Sequence, residues 1–488
     1  MATPNDPGTA PPATRGDDTR ANPGLSGIAD DEDRQPWRPL KWLVLMTIAS
    51  GVGAIAGLVG TAFRLSLYWA DRFRNLAVVF SHAHVPPAWG WTIPTVLCAI
   101  GAFIGLWLTR RLAPLTEGSG IPRIEAVLRN HLPSAKAPIL LVKFVGGALS
   151  IGSGLALGRE GPTVQMGGTV GRLISDRLRR FVPEPWTLIA AGAGAGLAVA
   201  FNAPLSAVLF VAEELLHRFS ARVFSATLAS CIAGTLVLRA ILGNTTDFGV
   251  APLPPEPANV LPEYLVLGVA AGLLGVLFNV SLVASLDLFG KTRRWPAGTR
   301  GALVGAGAGL LAWFAPGDVG GGENVAQRAL TGHIPLGLLF ILLCMRFALT
   351  MASYGCGAPG GLFAPLLALG ALLGNAFSAV DASLRHAPHE PAAYAIVAMA
   401  ACFTAIVRSP LTGVVLLLEM TGSWTLILPM MAASITAYAV PQLLGNRPIY
   451  ESLRERDEML EKAASRENHQ GRSVCAAKTN TSIAYKGF

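Results

Sequence analysis

Charge is what this sequence lacks first. Only 14% of its 488 residues are Asp, Glu, Lys or Arg, against 52% apolar residues. Soluble domains are nearer a quarter charged, so the composition points to a multi-span membrane protein. Cysteine is also scarce, with Cys98, Cys231, Cys344, Cys356, Cys402 and Cys475 scattered along the chain. There is no CxxC pair, and five of the six lie in apolar or glycine-rich sequence. They read as small buried hydrophobes rather than metal ligands or disulfides. The net charge of +8 forms no basic stripe. Arg110–Arg111, Arg172–Arg180 and Lys291–Arg300 flank apolar stretches, where basic residues set topology, so no nucleic-acid partner is expected. HExxH and GxSxG are missing, and His82, His84, His131, His386 and His389 fall in loops or at ends. Neither an enzyme, a metal site nor a cofactor is expected. The first residues lack a basic stretch followed by an apolar one, so no cleavable signal peptide is expected.

Apolar runs are abundant but irregular. A helix crosses the bilayer with about 20 mostly apolar residues. Trp42–Phe63, Trp91–Leu108, Trp186–Leu216, Phe224–Leu242, Leu265–Leu288, Gly301–Phe314, Leu336–Ala352, Ala393–Met420 and Leu426–Leu444 are candidates. Several are too long for one span, several too short, and Gly or Pro interrupts many. The composition divides the chain into a disordered tail (1–39), a first membrane half (40–245), a Pro-rich linker (246–264), a second membrane half (265–452) and a charged tail (453–488).

The halves repeat. "GSGLALGREGPTVQMGGTVG" (152–171) aligns without a gap on "GCGAPGGLFAPLLALGALLG" (355–374). Gly152, Gly154, Gly158, Pro162, Gly167 and Gly171 fall on Gly355, Gly357, Gly361, Pro365, Gly370 and Gly374. A second match follows in order: "NAPLSAVLFVAEE" (202–214) on "RSPLTGVVLLLEM" (408–420), which pairs Pro204 with Pro410 and Glu213 with Glu419. Repeated halves with interrupted helices are a signature of secondary transporters, whose half-helix termini meet at the substrate.

Three clusters carry Gly early and Pro late: Gly118-Ser119-Gly120-Ile121-Pro122, Gly158-Arg159-Glu160-Gly161-Pro162 and Gly361-Leu362-Phe363-Ala364-Pro365. Proline suits the first helical turn, so each reads as a helix N-terminus inside the membrane. Free N–H groups and the helix dipole there favour an anion. The alternative is a tight turn packing small residues between helices, as expected of "GVGAIAGLVG" (51–60). Glu160 needs either a partner or a task at such depth. At a helix N-terminus its carboxylate can stand where an anion would, and leave when protonated. The alternative is a static pair with Arg159 or Lys143.

Taken in order, GSGIP, GREGP and GLFAP resemble the signature of the CLC family of chloride channels and chloride–proton antiporters, over about residues 40–452. The resemblance implies an all-α membrane protein of two inverted-topology repeats, with broken helices meeting at a midplane anion site. It also implies a homodimer in the lipid bilayer, with one pathway per subunit. Ser119 would offer its hydroxyl to the central chloride, its alternative being a plain N-cap, and Gly120 and Ile121 lie at the same turn. Leu362 and Phe363 match positions whose backbone N–H groups line the site. Tyr450 matches the tyrosine that closes its inner side. Glu160 matches the gating and outer proton glutamate.

The family holds channels as well as antiporters. In exchangers a second glutamate passes protons to the inner side, and Glu214 matches it by spacing from Asn202. Consecutive helical residues point about 100° apart, so Glu213 and Glu214 do not serve one face. The alternative is that both are solvated at a membrane edge beside His217 and Arg218. The resemblance implies chloride exchanged for protons, two for one, with other halides or nitrate at lower affinity; a passive chloride channel is the second reading. The chain carries 38 residues after Tyr450, which resembles bacterial members without C-terminal nucleotide-binding domains. A plasma-membrane location (the bacterial inner membrane), with both termini cytoplasmic, is expected.

Overall fold

The computed structural model describes residues 39–129, 137–182, 184–244, 246–292, 294–332, 334–385 and 390–459. The tail expected over 1–39 (save its last residue), most of that over 453–488, Cys475, His131, His386 and His389 lie outside the described residues. The described chain is helical. The first half contains α1 (Pro39–His84), α2 (Thr92–Leu112), α3 (Ile121–Leu128), α4 (Pro138–Gly152) and α5 (Glu160–Arg177). It continues through α6 (Pro185–Phe201), α7 (Pro204–Phe210, extended by a π turn over Val211–Leu215) and α8 (Ala221–Leu242). The second half contains α9 (Leu261–Lys291), α10 (Thr299–Phe314), α11 (Glu323–Thr331), α12 (Leu336–Gly355) and α13 (Phe363–Arg385). It closes with α14 (Pro391–Val407), α15 (Pro410–Thr421) and α16 (Ile427–Leu443). A final helix, α17, occupies 449–459. Seven described helices are long and apolar enough to cross a membrane. Large apolar side chains such as Trp69, Leu236, Phe340 and Ile435 lie on the outside, as lipid-facing surface requires.

The over-long candidate runs are broken at equivalent positions of the repeat. Trp186–Leu216 divides at Asn202 and Ala393–Met420 at Arg408, and both residues take the left-handed conformation, φ +51° and +75°. These positions are equivalent in the second alignment, and each is followed two residues later by the proline that opens α7 or α15. In the first alignment, Gly154 and Gly357 share φ of +85° and +87°. The two halves are therefore alike in backbone as well as sequence. They meet through equivalent residues: Gly158 N–H donates to Gly361 O (2.8 Å), and Gly361 N–H donates to Gly158 O (2.7 Å). This mutual, antiparallel bridge makes the segments run in opposite directions, the relation expected of an inverted repeat.

Small residues set the close approaches. A side chain at Gly167 of α5 would collide with the Gly192 carbonyl of α6, and one at Gly192 with the Gly167 carbonyl. In the stretch 51–60 the packing alternative holds: Gly53 lies against Ser230 and Gly57 against Gly234 of α8. Cys98, Cys231, Cys356 and Cys402 are buried as expected, but Cys344 is exposed. It shares an outward stripe of α12 with Phe340 and Ile341, so the apolar sequence around it reflects lipid rather than protein packing.

Candidate anion and proton site

All three Gly/Pro clusters open helices: α3 at Ile121, α5 at Glu160 and α13 at Phe363. Their turns touch. Gly360 N–H donates to Gly118 O at 3.1 Å, and Gly161 packs so closely on Ser119 that a Cβ there would overlap its backbone and hydroxyl. Glu160 is fully buried among them, and its Oε1 accepts the Phe363 N–H at 2.6 Å. The carboxylate of the first repeat thus occupies the helix N-terminus of the second, where free amide and dipole favour an anion. It fits because Gly158 and Gly361, the pair bridging the halves, have no side chain; a Cβ on either would overlap its oxygens. Sequence reasoning read those glycines as part of helix N-termini and missed the room they leave.

Neither static partner suggested for Glu160 takes it. Arg159 turns its guanidinium to Asp247 (2.7 Å) and Glu323 (3.1 Å). Lys143 donates to the carbonyls of Thr116 (3.0 Å) and Gly118 (2.7 Å). Ser119 does not cap α3 either: Gly120, at φ +86°, holds the N-cap position, with no side-chain cap bond. The Ser119 and Tyr450 hydroxyls, both buried, face one another. Apart from one another, neither has a hydrogen-bond partner among the described residues. A buried hydroxyl is ordinarily satisfied, so these donors mark a place suited to a ligand acceptor, and a chloride ion fits that requirement. The Tyr450 ring packs on Phe363 (centroids 5.9 Å apart), which also meets Phe201, Phe210 and Phe403. Leu362 and Ile121 are fully buried beside the same turns. The structure therefore brings Glu160, Ser119, Gly120, Ile121, Leu362, Phe363 and Tyr450 into one neighbourhood. Tyr354, which sequence reasoning missed, joins them by accepting the Ser119 N–H at 3.3 Å.

Glu214 stands apart from this group. It is buried on the π turn, and its Oε2 accepts the Ser409 hydroxyl at 2.8 Å. Glu213 points elsewhere, accepting from Leu411 N–H (3.2 Å), Thr412 N–H (2.9 Å) and Thr412 Oγ (2.7 Å). The expected divergence of the neighbours is present, and neither is merely solvated. Two cavities flank the three turns. One of about 110 Å³ is lined by Ser119, Gly120 and Tyr354 with Arg110, Arg300 and Arg456. The other, about 720 Å³, is lined by Gly158, Arg159, Arg64, Asp71 and Glu323 among others.

A helical membrane bundle of two inverted halves, whose half-helix N-termini converge on a buried carboxylate and two buried hydroxyls, is an ion-transport protein with donors arranged for an anion. Residues 100–442 match the family described as voltage gated chloride channel, and the chain belongs to that family. It is 41% identical over 425 residues to the H(+)/Cl(-) exchange transporter ClcA of Klebsiella pneumoniae subsp. pneumoniae, covering 85% of this chain and 89% of that protein. Identity to ClcA of Salmonella typhimurium is 38% over 439 residues, 88% and 92% of the two chains. Among solved structures, a slow cyanobacterial Cl-/H+ antiporter superposes with a TM-score of 0.80 at 35% identity, over 85% of this chain and 98% of that one.

Proposed function

We propose that this protein is a chloride–proton antiporter in which Glu160 is the gate. The observation that carries the reading is the Glu160 carboxylate on the Phe363 N–H, at a helix N-terminus beside two buried hydroxyls that have no partner but each other among the described residues. Charged, the carboxylate holds the donors that an anion needs. Protonated, it loses its attraction to the helix terminus and releases them to chloride. Ser119 and Tyr450 then offer hydroxyl protons to the ion, and the Gly120–Ile121 and Leu362–Phe363 turns supply backbone donors. Because the carboxylate must take up a proton to yield, chloride passage and proton uptake are linked at one atom.

Glu214 receives the proton on the opposite side, which is what separates an exchanger from a channel. Its burial and its Ser409 hydrogen bond support that role. So do the curated relatives, both of which are exchangers by name. The 110 Å³ cavity with Arg110, Arg300 and Arg456 faces the cytoplasm, following the excess of basic residues at that end. The termini lie on that side, the bacterial inner membrane is the location, and two copies associate with one pathway each.

The decisive experiment uses purified protein in liposomes, with a chloride gradient and voltage clamped by valinomycin and potassium. Uphill proton movement driven by chloride is the expected result; chloride flux without proton movement refutes the antiport. Glu160→Gln should abolish proton movement and leave chloride flux.

A further inference from the structure

Two arginines of the larger cavity's wall, Arg64 and Arg159, share one carboxylate. Asp247 is buried and divides its oxygens between two arginines, Oδ1 to Arg64 and Oδ2 to Arg159, both at 2.7 Å. One carboxylate cannot neutralise two guanidiniums. The second negative charge comes from the opposite half: Glu323, the first residue of α11, lies 3.1 Å from the Arg159 guanidinium. Arg159 adjoins Glu160 in the chain and lines the cavity together with Gly158 and Glu323. The other carboxylate of that lining, Asp71, pairs with Arg74 at 2.6 Å, and the third arginine of the lining, Arg72, lies over the Trp69 ring, 6.0 Å from its centroid. Both arginines are fixed independently of Glu323. Arg64 donates to Val199 O (3.1 Å) and Arg159 to Ala200 O (2.8 Å), at the end of α6.

The repeat shows what is unusual about Glu323. The turn Gly320-Gly321-Gly322-Glu323 is the second-half equivalent of Gly118-Ser119-Gly120-Ile121. Gly118 and Gly320 have φ of +64° and +77°, and Gly120 and Gly322 have +86° and +102°. Where an isoleucine opens α3, a half-exposed carboxylate opens α11. On one side the approach to the three turns is lined by three arginines with Glu117 and Asp457, and Arg110 pairs with Glu117 at 3.1 Å. On the other, a fixed negative charge stands on the cation nearest Glu160.

We propose that Glu323 sets the affinity for chloride arriving through the larger cavity by keeping Arg159 neutralised. It is a positioning residue that acts through Arg159, and the proposal rests on the antiport reading of Glu160. With the carboxylate present, the mouth attracts anion less. Without it, one more guanidinium charge is uncompensated and draws chloride in.

The test is chloride uptake by proteoliposomes containing full-length Glu323→Gln or Glu323→Asp. Glutamine keeps a hydrogen-bond acceptor for Arg159, and Asp247 still holds both arginines, so folding is retained. Glu323→Gln should lower the half-saturating chloride concentration by about threefold or more, with maximal rate and coupling ratio unchanged. The shift should shrink as inert salt rises from about 0.01 M to about 0.15 M. Glu323→Asp should return the half-saturation toward that of the parent. An unshifted half-saturation in Glu323→Gln overturns the proposal, as does an equal shift in Glu323→Asp, which would show that shape rather than charge matters. Proton coupling of the parent, measured in the same vesicles, reports on the antiport separately. An uncoupled parent with a shifted Glu323→Gln removes the antiport and keeps this role, whereas a coupled parent with no shift removes this role alone.

Discussion

Glu213 and Glu419 exchange helix ends between the two halves. Glu213, on the π turn after α7, accepts the Leu411 and Thr412 amides that open α15. Glu419, near the end of α15, accepts the Leu205 and Ser206 amides that open α7, at 3.0 and 2.8 Å. Each carboxylate satisfies orphan N–H groups and meets the positive end of the partner helix. With the Gly158–Gly361 bridge, these contacts are where equivalent residues of the inverted repeat meet.

Removing one of these carboxylates should therefore loosen the seam between the halves. Charge-assisted hydrogen bonds are worth about 1.5–3 kcal/mol, so Glu419→Ala should lower thermal stability in detergent measurably, and Glu213→Ala likewise. The two caps hold one helix pair, so the double variant should cost less than the sum of the single ones. Thermal unfolding followed by tryptophan fluorescence checks both statements.

Adjacent glutamates should separate stability from coupling. Glu214→Gln should stop proton movement while chloride flux continues, because its carboxylate accepts the Ser409 hydroxyl and, among the described residues, caps no helix. Glu213→Gln should weaken the protein while leaving the proton-to-chloride ratio as in the parent. Parallel proton and chloride flux measurements on both variants decide, and the reverse pattern would exchange the two roles.

Gly361 should be as important to gating as Glu160 itself. A methyl group at 361 would overlap the Glu160 carboxylate and press on the Gly161 amide, so Gly361→Ala should push the side chain off its seat on the Phe363 amide. Coupling should fall toward that of Glu160→Gln, with chloride flux retained. A control, Gly249→Ala, has nothing within 4 Å of the added Cβ and should leave coupling intact.

Much of this was legible in sequence because the repeat constrains it. The glycine and proline positions shared by 152–171 and 355–374 located two of the three helix starts, and the excess length of two runs showed that they break, though not that Asn202 and Arg408 are where they do. What could not be read was which side chain answers which. Arg159 lies next to Glu160 in the chain yet turns to Asp247, a residue of the connecting segment that no local pattern ties to the site. The short α4 and the spans α5 and α13 were not among the candidate runs: in α5 threonine, glutamine and glycine dilute the hydropathy of a helix that protein covers, whereas α13 is apolar enough to cross a membrane and was overlooked. Tyr354 sits one residue before a glycine-rich turn and looks like any packed aromatic; only the fold sets its hydroxyl on Ser119.

Lys143 and Arg346 are the equivalent positions where the repeat speaks most directly to binding. Both are fully buried cations. Lys143 donates to the carbonyls of Thr116 and Gly118, and Arg346 to those of Asp318, Gly320 and Gly321. Each cation holds the carbonyls of a glycine turn inward while lending positive charge behind its amides. At Lys143 the turn is the one that presents Ser119, so Lys143→Met should remove both the anchor and the charge. Chloride binding measured by titration calorimetry should weaken by about tenfold, the equivalent of 1.4 kcal/mol. Lys143→Arg should stay much closer to the parent, since the second half already performs the same task with an arginine. If Lys143→Met binds chloride as the parent does, the turn is held by Gly120, the Gly360–Gly118 bond and the packing of Gly161 alone, and the buried charge serves stability rather than the ion.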